Sequence, residues 1–352
     1  MFLLLIMMTY LNLASAEMQL IKTIGDDRED YVLMECNDAL LTENNDIYIL
    51  NKKGNFISHY DWKGNFIRRI GRKGSGPGDL SSPGCMSYRD KKLYVLENGN
   101  RRVTIFDTVS NEFSFYKENE NTKFGNNLVV INENKLLGIF RYIEAKRGRI
   151  GIVDKNFNVV SSFFAEFPVE YQAADTTPGD SMSPEFFARR EITAFYFSPV
   201  CFFDEKADEL LVSFRIPDNP VLFFVYNIEG KLLKKFQYVI NEKKYKFPSF
   251  ILSLSVEKFR NSDNWPTRSE IHLDSVFIYK DYYIAFMQLE ELKKHESLNN
   301  QKMCLIFDKQ GILKESFQIE KNLRIFRLSN GYFLGTVLDE EIEKLYIYQL
   351  NL

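Results

Sequence analysis

Residues 47–70 read IYILNKKGNFISHYDWKGNFIRRI. Three apolar runs, starting at Ile47, Phe56 and Phe66, are separated by short polar stretches carrying Gly54 and Gly64. The second run ends on Asp61. Asp bonds the backbone two residues on, and Gly tolerates positive φ, so this spacing predicts strands joined by tight reversals. The unit recurs. Its apolar strand returns as LYVL from Leu93, LLGIF from Leu136, LLVSF from Leu210, YYIAF from Tyr282 and YFLGT from Tyr332. The following strand ends in Asp or Asn five times, at Asp61, Asp107, Asp154, Asn227 and Asp308. Each end leads through a short turn into a further strand.

Repeats of about 40–50 residues with several strands each are the mark of propellers. One blade cannot bury both of its faces, whereas blades packed in a ring can. The expected fold is therefore all-β, a six-bladed β-propeller with four-stranded antiparallel blades. The sixth repeat stops at Leu345–Tyr348 with no outer strand after it. Residues 19–25, QLIKTIG, match residues 65–71, NFIRRIG, the outer strand of the first repeat. Residues 18–24 are thus expected to close the last blade.

Composition agrees. Of 352 residues, 45% are apolar, and Phe (31) and Tyr (19) are abundant, as suits pleated surfaces. The formal charge of −3 lacks the basic field of a nucleic-acid binder. Residues 2–16 carry no charge and end in Ala14-Ser15-Ala16, the pattern of an export signal cut before Glu17. The expected layout is a signal peptide over 1–16 and a single propeller domain over 17–352. No other segment is apolar and long enough to span a bilayer. Export places the chain in the periplasm or at the cell surface, and a monomer is expected. Cys36, Cys85, Cys201 and Cys304 are widely spaced and form no CxxC pair. Cys201 and Cys304 read as core residues; a disulfide is possible, but spacing does not assign one.

A family resemblance rests on residues 70–107. Ile70-Gly71-Arg72-Lys73-Gly74-Ser75-Gly76-Pro77-Gly78-Asp79-Leu80, then Pro83, Leu93-Tyr94-Val95, Asn100-Arg101-Arg102-Val103 and Ile105-Phe106-Asp107 look like an NHL-type repeat. The chain resembles the NHL-like exported six-bladed propeller proteins of the Bacteroidales type, most closely over 46–116. That resemblance implies an exported propeller and no particular activity. The chain lacks the lipobox cysteine that many members carry.

The run Gly71–Gly78 is not GxxxxGK[ST], contains Pro77 and precedes a strand, so it reads as a loop between blades rather than a phosphate cradle. His59, His272 and His295 are the only histidines, and no pair has metal-ligand spacing. There is no GxSxG nucleophile motif. No metal, cofactor or catalytic residue is assigned.

Topology separates two faces. In a four-stranded meander, the first-to-second and third-to-fourth turns lie on one face, and these are short throughout. The second-to-third turns and the blade crossings lie on the other. All the long segments, 72–84, 165–192, 240–270 and 288–302, fall there, with 288–302 compatible with a short helix. The same face collects Arg101 and Arg102 at the start of a third strand, Arg149 at the start of another, and Arg141 and Arg215 just after Phe140 and Phe214. Arg suits bidentate contacts to carboxylates or phosphates. These five are the ligand-face candidates; the competing structural role is pairing with Asp and Glu of neighbouring blades. The leading expectation is a non-catalytic binding or scaffolding propeller for a protein, peptide or glycan. The alternative is a metal-dependent lyase or lactonase-like enzyme with a site in the central channel.

Overall fold

The computed structural model describes residues 16–25, 33–120, 122–142, 148–162, 200–204, 207–214, 221–238, 268–293, 296–337 and 343–352. The first strand, β1, is Glu17–Ile24. Blade 1 holds β2 (Cys36–Leu41), β3 (Ile47–Asn51), β4 (Phe56–Tyr60) and β5 (Phe66–Ile70). Blade 2 holds β6 (Pro83–Arg89), β7 (Lys92–Glu97), β8 (Arg102–Asp107) and β9 (Phe113–Lys117). Blade 3 holds β10 (Thr122–Asn132), β11 (Lys135–Tyr142), β12 (Gly148–Asp154) and β13 (Val159–Ser162). Blade 4 holds β14 (Val200–Asp204), β15 (Glu209–Phe214), β16 (Val221–Tyr226) and β17 (Leu232–Tyr238). Blade 5 holds β18 (Arg268–Tyr279), β19 (Tyr282–Lys293), β20 (Glu296–Asp308) and β21 (Leu313–Ile319). Blade 6 holds β22 (Leu323–Ser329), β23 (Tyr332–Val337) and β24 (Leu345–Asn351), and β1 is its fourth strand. These six four-stranded antiparallel sheets form a ring, the six-bladed propeller expected from the repeat.

The closure runs antiparallel from Glu17 opposite Asn351 to Ile24 opposite Leu345. It works because Ile24 carries the apolar side chain that the last interface needs, and Ile24 is buried against Leu345 and Ile347.

Two-residue alternation distributes the core. In β3, Ile47 and Ile49 pack towards blade 6, against Leu334 and Ile347, while Tyr48 and Leu50 pack towards blade 2, against Met86 and Val95. The middle strand therefore has no polar face, and all five residues of β3 are buried. The outer strands have one face in water and alternate, as LLKKFQY does in β17. Six buried clusters result, and each is shared by two adjacent blades. Aromatic rings fill some interfaces: Phe223 of blade 4 meets Phe307 of blade 5 at 5.2 Å, and Phe277 of blade 5 meets Phe333 of blade 6 edge-on at 5.5 Å.

Polar links join the inner strands. Arg327 of blade 6 donates through Nε to Asp38 Oδ1 of blade 1 at 3.0 Å and through Nη2 to Met86 O of blade 2 at 2.7 Å. Asp38 Oδ2 accepts from Met86 N at 2.8 Å, so one buried ion pair connects three blades. Burial alone would lower the Arg327 pKa; Asp38 beside it outweighs that and holds it raised.

The Asp turns close as expected. Asp61 Oδ1 accepts from Asn65 N at 2.8 Å, Asp107 Oδ1 from Ser110 N at 2.8 Å, and Asp308 Oδ1 from Ile312 N at 2.9 Å. Positive φ falls on Gly64, Gly230 and Gly311, but also on Asn111 and Phe157. Phe157 is fully buried, and that packing offsets its unfavourable backbone. The turn carboxyls lie below the ordinary Asp value of 3.8, Asp61 chiefly through its bond from the Asn65 side chain and Asp107 chiefly through the Ser110 amide. A depressed pKa contributes stability above the unfolded value that is lost as pH falls through the folded one. Urea midpoints should therefore drop below pH 4, in and under the ordinary carboxylate range. Asp61→Asn with Asp107→Asn should flatten that acid limb by lowering the neutral-pH midpoint towards the acid one. An unaltered acid limb would remove these turns from the account.

Residues 288–293 and 296–302 are neither loop nor helix. They continue β19 and β20 as paired strands, with Gln288 opposite Lys302 and Lys293 opposite Glu296. Backbone pairing holds them despite a polar, strand-poor composition. Of the other long segments, 165–192 and most of 240–270 lie outside the described residues, and 268–270 begin β18. No helix of the described residues is long and apolar enough to cross a membrane. The four cysteines are free thiols; Cys36, Cys85 and Cys304 are buried, and burial pushes the Cys201 thiol up to about 12.

Candidate functional site

The two faces of the ring differ. Where both flanking strands are described, the first-to-second and third-to-fourth connections have only two to five residues, as at 90–91, 280–281 and 61–65. The opposite face carries the twelve-residue crossing 71–82 and the paired ends of β19 and β20 at Lys293 and Glu296. At the root of this extension the buried Lys302 ammonium pairs with Asp274.

The crossing 71–82 is a folded unit. Leu80 N donates to Arg72 O at 2.7 Å and Gly74 N to Leu80 O at 3.0 Å, drawing the loop into a narrow neck. Asp79 sits inside it. Its carboxylate accepts from Arg72 Nε at 2.9 Å and from Gly76 N at 3.0 Å, and Arg72 above all holds its pKa below the ordinary value. A side chain at position 74 would meet the Asp79 carboxylate at 2.3 Å, which explains the glycine. The loop's backbone groups thus serve its own fold, in agreement with the structural reading of the glycine run.

Beneath the loop lies a buried hub. Glu97 has no solvent exposure and accepts from Arg102 Nε at 2.8 Å, Ser81 N at 2.7 Å and Asn100 Nδ2 at 2.6 Å, as well as from Thr104 Oγ1. Arg102 then donates from Nη2 to Gly76 O at 3.0 Å and Asp79 O at 2.8 Å, and from Nη1 to Ser75 O at 3.4 Å. Of the five candidate arginines, Arg102 is consequently turned inward, and its partner Glu97 belongs to the same blade rather than a neighbour. Its planar fork matches carbonyls of its own chain, the same geometry that would match a ligand.

Arg101 remains at the surface. Its side chain is 44% exposed and lies 3.4 Å from Glu118, with Nη2 3.1 Å from Asn119 O. Arg141 pairs in register with Gly148, and Arg149 with Phe140, so both occupy the end of blade 3 that carries its second-to-third turn. Strand order places Arg101 and Arg102 at the equivalent end of blade 2. The four share one face of two adjacent blades. Arg215 lies outside the described residues.

Two features were not read from the sequence. Glu97 could have been found, since an acid closes the apolar strand LYVLE five residues before Arg102. Asp38 had no local signal, because its partner is far off in the chain. His59 is a core residue: its ring stacks on Tyr48 at 4.3 Å and its Nε2 lies 2.8 Å from Asp46. Among the described residues, no group of three or more His, Cys, Asp or Glu is arranged to hold a metal ion.

No family model matches the chain, and no curated protein matches it. Solved structures do. A member of the DUF4221 family from Bacteroides vulgatus aligns over 96% of this chain and 98% of its own, with a TM-score of 0.54 and 11% identity. A candidate exported protein from Bacteroides fragilis aligns over 95% and 96%, with a TM-score of 0.53 and 11% identity. At this identity the likeness establishes the six-bladed ring and leaves function to be argued from the site.

Proposed function

We propose that this chain is an exported, non-catalytic binding or scaffolding propeller whose ligand, an acidic peptide, glycan or partner protein, docks on the elaborated face. The carrying observation is the asymmetry of the ring: one face has only short turns, and the other has the long connections together with Arg101, Arg141 and Arg149. A scaffold that keeps one face plain and elaborates the other displays loops for recognition. Export is supported by the uncharged segment 2–16 and by likeness to the Bacteroides fragilis protein.

The test begins with peptide and glycan arrays to obtain a ligand. Arg141→Ala with Arg215→Ala should then abolish its binding and leave the melting temperature unchanged. Binding that survives the double change removes the arginines from the reading. Elemental analysis of protein purified without chelators addresses the alternative. Stoichiometric Ca²⁺ or Zn²⁺ would favour the lyase or lactonase class.

A further inference from the structure

Between the rims of blades 1 and 2 lies a cleft of about 410 Å³. Clefts of that size accept short chain segments or small molecules. Its blade 1 wall is β5, the outermost strand, which among the described strands pairs with β4 alone. An outermost strand directs alternate backbone N–H and C=O groups away from its sheet.

Side chains along this wall divide by period two. Arg69 turns to the far side, where its guanidinium stands 4.5 Å from the Phe56 ring centre. Arg68 and Ile70 share the cleft side, and Arg72 follows them along the same wall. Arg68 reaches across to blade 2, donating from Nη2 to Thr108 O at 3.2 Å and from Nη1 to Asn111. Arg72 is 85% exposed, holding Asp79 through Nε with most of its guanidinium in water. Blade 2 supplies Phe106, the half-exposed Phe113 and Asp107, whose carboxylate accepts from the Val109 and Ser110 amides, and the crossing supplies Pro77 and Asp79, which is held by Arg72 and the Gly76 amide. The wall thus reads cation, apolar, cation beside an open strand edge and an aromatic floor.

We propose that this cleft takes an extended acidic peptide segment of a partner protein, added along the open edge of β5. Backbone bonds to a sheet edge supply affinity, and alternate side chains supply specificity. Opposite charges and apolar pairs facing each other across strands are favourable. The matching peptide therefore carries an acid facing Arg68, an apolar side chain two residues on facing Ile70, and a second acid past the end of β5, where the chain turns at Gly71 and Arg72 lines the cleft. This site is on the rim, is bordered at one end by the crossing 71–82, goes beyond the elaborated-face reading, and does not depend on Arg101, Arg141, Arg149 or Arg215.

The probe is a fluorescein-labelled peptide with Glu at its first and fifth residues, Val at the third and Thr between them, read by fluorescence polarisation. The wild-type chain should bind it, more weakly at high salt. Arg72→Glu should weaken binding at least about fivefold at temperatures well below its melting transition, which falls only slightly because the Arg72–Asp79 bond it removes is largely in water. A peptide with Lys in place of both Glu residues should bind the Arg72→Glu chain better than the wild type. The proposal is overturned if the Lys peptide binds the wild type equally, or if Arg72→Glu binds the Glu peptide undiminished. An acidic oligosaccharide that displaces the probe as well as unlabelled peptide, at equal carboxylate concentration, also overturns it. Arg141→Ala with Arg215→Ala should leave probe binding intact; a loss there would move the peptide to the elaborated face and refute the rim site.

Discussion

Arg102→Ala is expected to destabilise the protein by about 3–5 kcal/mol, the range for breaking one side of a buried ion pair. The cause is Glu97, whose carboxylate has no solvent exposure and would stay buried without its cation. The crossing 71–82 would also lose the donors that hold Ser75, Gly76 and Asp79 by their carbonyls. Glu97→Ala should cost at least as much, because it strands Arg102, Thr104, Asn100 and the Ser81 amide together. Replacing both partners at once, Arg102→Met with Glu97→Leu, should be less harmful than the two single losses added, since no charge is left buried. Urea unfolding at pH 7 measures all of these. A loss below about 1 kcal/mol for Arg102→Ala would show that the hub is solvated in solution and would take away its role as the clamp.

The second large effect concerns closure. A chain starting at Glu17 should fold cooperatively, and one starting at Gly25 should not. Removing 17–24 deletes the partner of β24 from Asn351 back to Leu345 and takes Ile24 out of the interface between blades 6 and 1. It leaves β24 as an unpaired edge, open to pairing between molecules. The loss should approach the whole stability of an ordinary domain, about 5–15 kcal/mol. The expected readouts are a broad, early thermal transition and elution ahead of the monomer. Adding a synthetic peptide of residues 17–24 should restore part of the transition. A chain from Gly25 that melts within a few degrees of the longer one would show that the ring holds without its fourth strand in blade 6.

The features that were legible in sequence were local or repeated. The Asp turns are read within five residues, because the acceptor, the reversal and the positive φ all lie in one short stretch, as at Asp61–Asn65. The closing strand could be found because QLIKTIG must present the same face as NFIRRIG. The sidedness was read from connection lengths; of the four long segments behind it, the structure describes 72–84 as a crossing leading into β6 and the described residues of 288–302 as paired strands. What failed was non-local or chemically ambiguous. Asp38 and Arg327 are 289 positions apart, and neither stands out in its own strand. Arg102 reads the same whether its fork serves a ligand or its own loop; only Glu97 decides. The polar residues of 288–302 hid paired strands, because main-chain pairing there is not written in side-chain alternation.

The closure has a consequence for how the molecule is presented. Glu17 opposite Asn351 brings the first and last strands of the ring side by side, at the end of blade 6 equivalent to the third-to-fourth turns. Glu17 and Asn351 therefore both lie on the plain side. A tether, fusion partner or immobilising tag at either end would hold the ring by its plain side and point the elaborated one away from the support. In an immobilised binding assay, N-terminal and C-terminal attachment should accordingly give the same ligand response.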